Sequence, residues 1–159
     1  MVLEYDEKYD DDIKDLLVEL QEYIQNIDIE GYNILQKNYR KLYFEKVLND
    51  VKNYKGKIFL YEEDNKIVGL VVGIVNNDEI ETYDFKAPKR GRITELVISK
   101  NVRSKGIGTV LLKYMEDYLK SIGCKDILIG VFAYNDNAVK FYRKNGYHVR
   151  MIDMIKTDI

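Results

Sequence analysis

The sequence predicts an α/β fold in which helices are interspersed with the strands of a mixed sheet. Two kinds of hydrophobic spacing support this prediction. A helical period recurs in four segments, and the short apolar or alternating runs between them are typical of strands. The length of 159 residues, with 46% hydrophobic and 33% charged residues, is typical of one soluble globular domain covering residues 1–159.

The first half of the chain predicts a strand, two helices and an antiparallel hairpin. Apolar residues recur at helical spacing from Ile13 to Ile24, after an acidic run that favours a helix N-terminus. The predicted elements are, in order, a short extended segment at residues 1–5, a helix from residue 11 that Gly31 ends, a helix at about residues 34–51, and strands at residues 57–61 and 66–75 joined by a turn.

The second half of the chain predicts two further helices and three strands. Residues 76–90 are polar and contain the single proline, Pro88, so we expect mostly loop there. The predicted elements that follow are a strand at residues 92–98, a loop at 99–105, an amphipathic helix that Gly106 opens and Gly123 closes, a buried strand at 126–132, a short helix at 137–144 and a final strand at 147–156.

The scarcity of cysteine and histidine excludes several classes of chemistry. Cys124 and His148 are each single, whereas a structural zinc site needs about four such ligands, so we expect no metal. No disulfide can form within the chain, which suits a reducing cytoplasm. We interpret Cys124 as a small buried residue and His148 as structural or solvent-facing, so neither side chain anchors a mechanism.

The charge and hydropathy patterns argue against nucleic-acid and membrane partners. The 25 basic and 27 acidic side chains give a net charge of -2, without the basic excess of a nucleic-acid-binding protein. The N-terminus lacks the basic and apolar regions of a signal peptide, and no apolar run approaches the roughly 18 residues of a membrane span. We therefore expect a cytoplasmic protein.

Residues 103–108, Arg-Ser-Lys-Gly-Ile-Gly, carry the most informative pattern, because they follow a predicted strand and open a helix. Glycines there let the backbone approach a ligand, and the free N–H groups with Arg103 and Lys105 suit a phosphate or diphosphate. A glycine-rich helix cap without a ligand explains the spacing equally well. Thr109-Val110 excludes a Walker loop, and Leu111 stands where a dinucleotide fingerprint needs its third glycine.

Two segments share features with a known family: the strand Leu96-Val97-Ile98 with residues 103–108 behind it, and residues 135–147. Together they resemble the acyl-CoA-binding pattern of the GCN5-related N-acetyltransferases (GNAT superfamily). Leu96-Val97-Ile98 followed by residues 103–108 is similar to the family motif Gln/Arg-x-x-Gly-x-Gly/Ala after a strand. Residues 135–147 resemble the second motif, Asn-x-x-Ala-x-x-x-Tyr followed by Gly and an aromatic residue. The resemblance implies the GNAT fold, a mixed central sheet of about six to seven strands, splayed in the middle and flanked by about four helices.

The resemblance also implies acetyl-CoA as the cosubstrate. The strand ending at Ile98 would diverge from the strand containing residues 129–131, which leaves backbone groups to pair with the pantetheine arm, and an amide at or beside Val97 would polarise the thioester carbonyl. The implied cofactor-binding residues are Leu96, Val97, Ile98, Arg103, Ser104, Lys105, Gly106, Ile107, Gly108, Thr109, Asn135 and Tyr142.

Two side chains are the candidates for acid–base catalysis. A free alkylammonium has a pKa of about 10.4, so a base must remove its proton, and Glu95, an acid inside an apolar strand, is the leading candidate. Tyr142 is the candidate acid for the departing thiolate. The alternatives are an outward-facing Glu95 beside a Lys or Arg and a Tyr142 that only packs in the core. The loop acids that compete with Glu95 are Asp78, Glu79, Glu81 and Asp84.

The acceptor amine is specified less well. Tyr32, Tyr39, Tyr43 and Tyr83, with acidic neighbours, are compatible with a bound cationic amine, although core and surface roles explain them as well. We expect an N-acetyltransferase in which a primary amine of a small molecule, an aminoglycoside-like polyamine or a protein attacks acetyl-CoA directly in a ternary complex. The alternative is a non-catalytic acyl-CoA-binding or regulatory module. The resemblance also allows a homodimer.

Overall fold

The computed structural model describes residues 1–75 and 88–157, and within them it contains one mixed five-stranded sheet. The strands lie side by side in chain order, and each neighbouring pair is antiparallel except the last, which is parallel. They are β1 (Val2–Glu4), β2 (Lys57–Glu63), β3 (Lys66–Val75), β4 (Arg90–Ile98) and β5 (Asp126–Ile129). The predicted α/β class is confirmed, with fewer strands than the six to seven expected.

Helices cover both faces of the sheet and form two apolar clusters with it. They are α1 (Asp10–Ile27), α2 (Tyr39–Asn53), α3 (Ile107–Ser121) and α4 (Asp136–Lys144). On one face α1 and α2 bury Leu17 and Phe44 against the sheet, and on the other face α3 buries Leu111 and Met115. None of the helices in the described ranges is long and apolar enough to span a membrane.

The hairpin between β2 and β3 forms at the turn that the sequence predicts. Asp64 and Asn65 both adopt positive φ, 52° and 58°, as a two-residue turn between right-twisted strands requires. The following strand has the predicted bounds, Lys66–Val75. Local sequence therefore sets this part of the sheet.

Several predicted boundaries are wrong. The second helix begins at Tyr39 rather than near residue 34, because Asn38 adopts a left-handed conformation (φ 72°) that cannot continue a helix. The fourth strand begins at Arg90, inside the predicted loop, whose residues 76–87 lie outside the described ranges. The fifth strand ends at Ile129 and is half-buried instead of buried, because β4 is its only neighbour among the described strands.

The predicted final strand at residues 147–156 is also wrong. Residues 145–157 have no regular secondary structure, and the apolar side chains near the end of the chain are exposed. A strand forms only where another strand supplies hydrogen-bonding partners, and no described strand lies beside this segment. The missing pairing accounts for part of the difference in strand number.

A bulge in β4 changes which face of the sheet its residues point to. Ile93 pairs with Gly73 and Glu95 pairs with Val72, so the intervening Thr94 is an extra residue without a partner in β3. Ile93 therefore packs in the cluster on the α3 face, whereas Val97 packs in the cluster under α1 and α2. Glu95 lies on the same face of β4 as Val97, and its side chain points to α2.

Gly56, which connects α2 to β2, lies where two backbones approach closely, and its substitution tests this packing. An added Cβ would lie 2.7 Å from the carbonyl oxygen of Gly73 and 2.8 Å from the Cα of Val51. Since backbone atoms cannot move away easily, we predict that Gly56→Ala lowers the free energy of unfolding by about 2 kcal/mol in urea titrations. Gly130→Ala is the control, because no atom of the described residues lies within 4 Å of its added Cβ. Equal losses in the two variants would contradict the packing explanation.

Candidate active site

The strands β4 and β5 diverge and open a gap in the sheet. Their parallel pairing runs from Arg90 opposite Asp126 to Ile93 opposite Ile129 and ends there. After Ile93, the edge of β4 that faces away from β3 has no partner strand among the described residues. Such an edge offers N–H and C=O groups to an extended ligand.

A cleft of about 380 Å³ lies at this gap. Its walls come from the end of β4, the start of α3, the start and one face of α4, and the side of α1. The predicted site residues that line it are Leu96, Val97, Ile98, Arg103, Ser104, Gly106, Ile107, Gly108, Thr109, Asn135 and Tyr142. Lys105 and Glu95, which the sequence also nominates, do not line this cleft.

The first turn of α3 presents backbone N–H groups to the cleft. Gly106 precedes the helix with φ 82°, a conformation that strains other residues, and no described side chain caps the helix start. The first hydrogen bond of the turn runs from the Val110 N–H to the Gly106 carbonyl, so the N–H groups at 107–109 have no partner within the helix. With the helix dipole, these groups favour an anion.

Both cations predicted to hold a phosphate already contact carboxylates. The Arg103 guanidinium lies 3.6 Å from Glu19, donates a hydrogen bond of 3.0 Å to the carbonyl of Ile98, and stacks on the ring of Tyr23. The Lys105 ammonium lies 3.0 Å from a carboxylate oxygen of Glu63. These ion pairs hold the loop at residues 99–105 in place, and an anion in the cleft would compete with them.

Asn135 joins α4 to α1 at the cleft wall. Its Oδ1 accepts hydrogen bonds from the backbone N–H of Ala138 (3.2 Å) and from the hydroxyl of Tyr23 (3.0 Å). The first bond caps α4. Because the oxygen has two protein donors, the side-chain Nδ2 is the group of Asn135 that is better placed to serve a ligand.

Tyr142 both packs against neighbouring aromatic rings and lines the cleft, so its role as an acid stays a prediction. Its ring packs edge-on against Phe141 and Tyr147, at centroid distances of 5.1 and 5.7 Å, and it also lines the cleft. The Tyr142 hydroxyl makes no hydrogen bond to any described residue. Burial, with a smaller contribution from the charge of Glu95, raises the pKa of Tyr142 to about 12, so the phenol is protonated at neutral pH.

Glu95 is buried and bound to a tyrosine instead of facing outward beside a Lys or Arg. Its side chain is 6% exposed, and the hydroxyl of Tyr43 donates a hydrogen bond of 2.6 Å to its carboxylate. Burial raises the pKa of the Glu95 carboxyl to about 7, against the hydrogen bond from Tyr43 and the charge of Lys46, which both lower it. A base with a pKa near neutrality suits proton transfer at physiological pH.

A second cavity of about 380 Å³ lies between α1, α2 and the connection between them. Tyr32, Tyr39 and Tyr43 line it, and the rings of the last two stack at 4.8 Å. An acidic neighbour is present, since Glu95 accepts a hydrogen bond from Tyr43. The charged residues that line the described part of the wall are Lys37 and Lys46, and Lys46 pairs with Asp50 at 2.7 Å. Tyr83 and the competing acids Asp78, Glu79, Glu81 and Asp84 lie outside the described residues.

Some cleft residues are not found by sequence reasoning. Phe141 and Lys144 fall inside the second motif, so closer attention to that motif could have found them. Leu20 and Tyr23 belong to the apolar stripe of α1, which carries no signal of a cleft more than 70 residues away in sequence. Within the described ranges, no cluster of three or more His, Cys, Asp or Glu side chains could hold a metal ion, Cys124 is buried, and His148 is exposed.

Comparisons with known proteins agree with this arrangement. The model of the acetyltransferase (GNAT) family matches residues 21–147. An uncharacterized N-acetyltransferase of Methanocaldococcus jannaschii is 32% identical over 100 residues, which are 62% of this chain and 57% of that protein. An uncharacterized Bacillus subtilis protein is 29% identical over 57% of this chain and 48% of its own length, so the chain spans about half the length of these relatives.

Solved structures share the fold over their whole length. A mutant of a Bacillus halodurans protein has a TM-score of 0.86 at 19% identity, covering 100% of this chain and 99% of that one. An aminoglycoside N-acetyltransferase solved in complex with CoA has a TM-score of 0.69 at 12% identity, covering 99% of this chain and 100% of that one. At these identities the likeness concerns the fold.

The raised pKa of Glu95 predicts that this carboxyl makes folding stability depend on pH. Between pH 4.5 and about 7 the unfolded chain loses the Glu95 proton while the folded chain retains it, so stability falls as pH rises through this window. Glu95→Gln removes the titration. We predict that, relative to the wild type, this variant gains on the order of 3 kcal/mol in unfolding free energy between about pH 4 and about pH 8.

The measurement is denaturant unfolding of both proteins at the two pH values. Glu22→Gln, which removes an exposed carboxyl on α1, is the control and should follow the pH dependence of the wild type. If Glu95→Gln also follows the wild type, Glu95 does not titrate in the folded protein as described.

Proposed function

The chain belongs to the acetyltransferase (GNAT) family, and we propose that it transfers an acetyl group from acetyl-CoA to a primary amine. The cleft at the divergence of β4 and β5 carries this proposal, because it joins an open strand edge to uncapped helix N–H groups. Acetyl-CoA has the complementary parts, an extended arm with amide groups and a diphosphate. The CoA found in a solved structure of the same fold supports this choice of cosubstrate.

The residues of the cleft would hold the two parts of acetyl-CoA separately. The backbone of Leu96, Val97 and Ile98 would pair with the pantetheine arm, and an amide of this edge would polarise the thioester carbonyl. The N–H groups at residues 107–109, with Ser104, would receive the diphosphate. Arg103 and Lys105 would add charge once they release Glu19 and Glu63, and Asn135 would contribute its Nδ2.

The acceptor amine would lose its proton through Tyr43. This tyrosine lines the second cavity and donates its hydroxyl hydrogen to Glu95. Burial raises the pKa of the Tyr43 hydroxyl well above its ordinary value, so a lasting phenolate is unfavourable. The relay is therefore concerted: Tyr43 passes its proton to Glu95 as it takes one from the ammonium.

Transfer then proceeds by direct attack of the neutral amine on the acetyl carbon. The C–N bond forms, the C–S bond breaks, and the electron pair of that bond goes to the sulfur. The nitrogen, positively charged after the attack, releases one proton, which balances the proton that the sulfur receives. Tyr142 donates its hydroxyl hydrogen toward this sulfur, and its raised pKa keeps it protonated until then. No covalent acyl-enzyme is required, in keeping with a buried Cys124.

The second cavity sets few limits on the charge of the acceptor. Lys37 and Lys46 line it, but Lys37 is exposed and Lys46 pairs with Asp50 at 2.7 Å, and the hydroxyl of Tyr43 in the cavity wall donates to the buried Glu95. A small-molecule amine, an aminoglycoside-like polyamine and a protein amine therefore all stay candidate acceptors.

Calorimetric titration with acetyl-CoA, CoA, ATP and NAD tests the binding half of the proposal. We predict that acetyl-CoA and CoA bind, and that Thr109→Glu weakens both by at least about tenfold, since it places a carboxylate beside the diphosphate. Thr109 is exposed, and an acidic residue near a helix N-terminus does not harm the fold. Thr109→Gln is the uncharged control. Binding of ATP or NAD without CoA would overturn the proposal.

Release of the CoA thiol with a panel of amines tests the chemical half. We predict that Tyr142→Phe lowers turnover by roughly 10²–10⁴-fold while the affinity for acetyl-CoA is unchanged, because only the leaving sulfur needs the hydroxyl. Tyr134→Phe, at an exposed position outside the cleft, is the control. Full turnover in Tyr142→Phe would remove it as the acid. Binding of acetyl-CoA with no turnover for any amine would favour a non-catalytic module.

A further inference from the structure

Tyr23 of α1 contacts two of the elements that form the cleft, although it lies outside both sequence motifs. Its hydroxyl bonds to Asn135 at the start of α4, and the guanidinium of Arg103 lies over its ring, 5.4 Å from the centroid. All three residues line the cleft, and Tyr23 is half-buried there. A side chain that joins two predicted ligand-binding residues determines how both are presented to a ligand.

The hydroxyl of Tyr23 fixes the orientation of the Asn135 side-chain amide. The backbone N–H of Ala138 can only donate, so the amide atom that it contacts is the oxygen Oδ1. The Tyr23 hydroxyl lies 3.0 Å from the same oxygen and therefore donates to it. A flip of the amide would lose both hydrogen bonds. The Nδ2 group, which makes no hydrogen bond to any described residue, is thus kept for an acceptor in the cleft, such as an amide carbonyl of an extended arm.

The ring of Tyr23 gives Arg103 a contact that does not depend on a carboxylate. The guanidinium also lies 3.6 Å from Glu19, and Arg103 would release this carboxylate when it binds a diphosphate. Contact with an aromatic ring uses the face of the guanidinium and leaves the N–H donors at its edges free. The ring therefore holds Arg103 beside the cleft while the guanidinium exchanges one anion for another.

We propose that Tyr23 is a positioning residue for acetyl-CoA, acting through Asn135 on the pantetheine arm and through Arg103 on the diphosphate. This inference rests on the proposed function, because it takes acetyl-CoA as the ligand of the cleft. The hydroxyl contributes one hydrogen bond between neutral groups, and the ring contributes one cation–π contact at a partly exposed site, so each contribution is modest. Loss of both should reduce the affinity more than loss of the hydroxyl alone.

Calorimetric titration of the full chain with acetyl-CoA measures the two contributions. Tyr23→Phe, which keeps the ring and removes the hydroxyl, should raise the Kd by about fivefold. Tyr23→Leu removes the ring as well and should raise the Kd by about twentyfold.

Tyr118 of α3 is the matched control. Its hydroxyl donates to the carbonyl of Lys55 at 2.8 Å, and the ammonium of Lys57 lies over its ring at 5.1 Å from the centroid, but it does not line the cleft. Tyr118→Phe and Tyr118→Leu therefore lose the same kinds of contact and should bind acetyl-CoA as the wild type does. Circular dichroism confirms that each variant is folded.

Double variants separate positioning from a general effect on the fold. Asn135→Ser removes the side-chain amide but keeps a residue that caps helices well. Tyr23→Phe/Asn135→Ser should bind acetyl-CoA as Asn135→Ser does, because no amide is left to orient. Similarly, Tyr23→Leu/Arg103→Ala should bind as Tyr23→Phe/Arg103→Ala does, because the ring has no guanidinium to hold. A merely structural Tyr23 would weaken binding in every background.

Three results would overturn the proposal. The first is a Kd that neither Tyr23 variant changes, and the second is a full additional loss of affinity in the double variants. The third is an equal loss in the Tyr23 and Tyr118 variants. A wild type that does not bind acetyl-CoA would overturn the proposed function together with this inference, whereas binding without turnover of any amine would remove only acetyl transfer.

Discussion

The bulge at Thr94 is the constraint on which the rest of the cleft depends. Without the extra residue, the alternation along β4 would turn Glu95 toward the cluster under α3, where it would meet apolar side chains. With the bulge, Glu95 points to α2 and receives a hydrogen bond from Tyr43. Bulges also bend a strand, and the pairing of β4 with β5 ends at Ile93, the residue immediately before Thr94. One inserted residue therefore accounts for both the position of the carboxylate and the opening of the gap.

Several features around the gap reduce the stability of the fold. Among the described residues, Glu95 has only Tyr43 as a hydrogen-bond donor in a buried position, and no side chain caps the start of α3. Ser104 adopts a positive φ that costs energy for a residue other than glycine. An apolar residue in place of Glu95 and a capped α3 would make the folded protein more stable. Such concentrations of unfavourable features are typical of functional sites, and they lie where acetyl-CoA is proposed to bind.

The two edges of the sheet differ in how open they are to pairing with a further strand. The β1 edge is three residues long and carries the ion pair between Glu4 and Lys57, so it is poorly suited to pair with another chain. The β5 edge is apolar apart from Asp126, and no described strand pairs with its outer side. Among the described strands, one edge is thus protected by charge and the other is open.

The sequence by itself determines the order of most elements and the composition of the cleft, because hydrophobic period, turn residues and short motifs act over a few neighbouring residues. The motif at residues 103–108 and the helix at Asn135 are examples, and each is read from contiguous residues. Only the tertiary structure decides that Tyr23 bonds Asn135, that Tyr43 bonds Glu95, and that Lys105 is held by Glu63. These contacts join residues 42 to 112 positions apart, and the bulge that positions Glu95 arises from pairing between strands. The strand predicted at 147–156 fails for the same reason, since local propensity proposes a strand but a neighbouring edge must be present to pair with it.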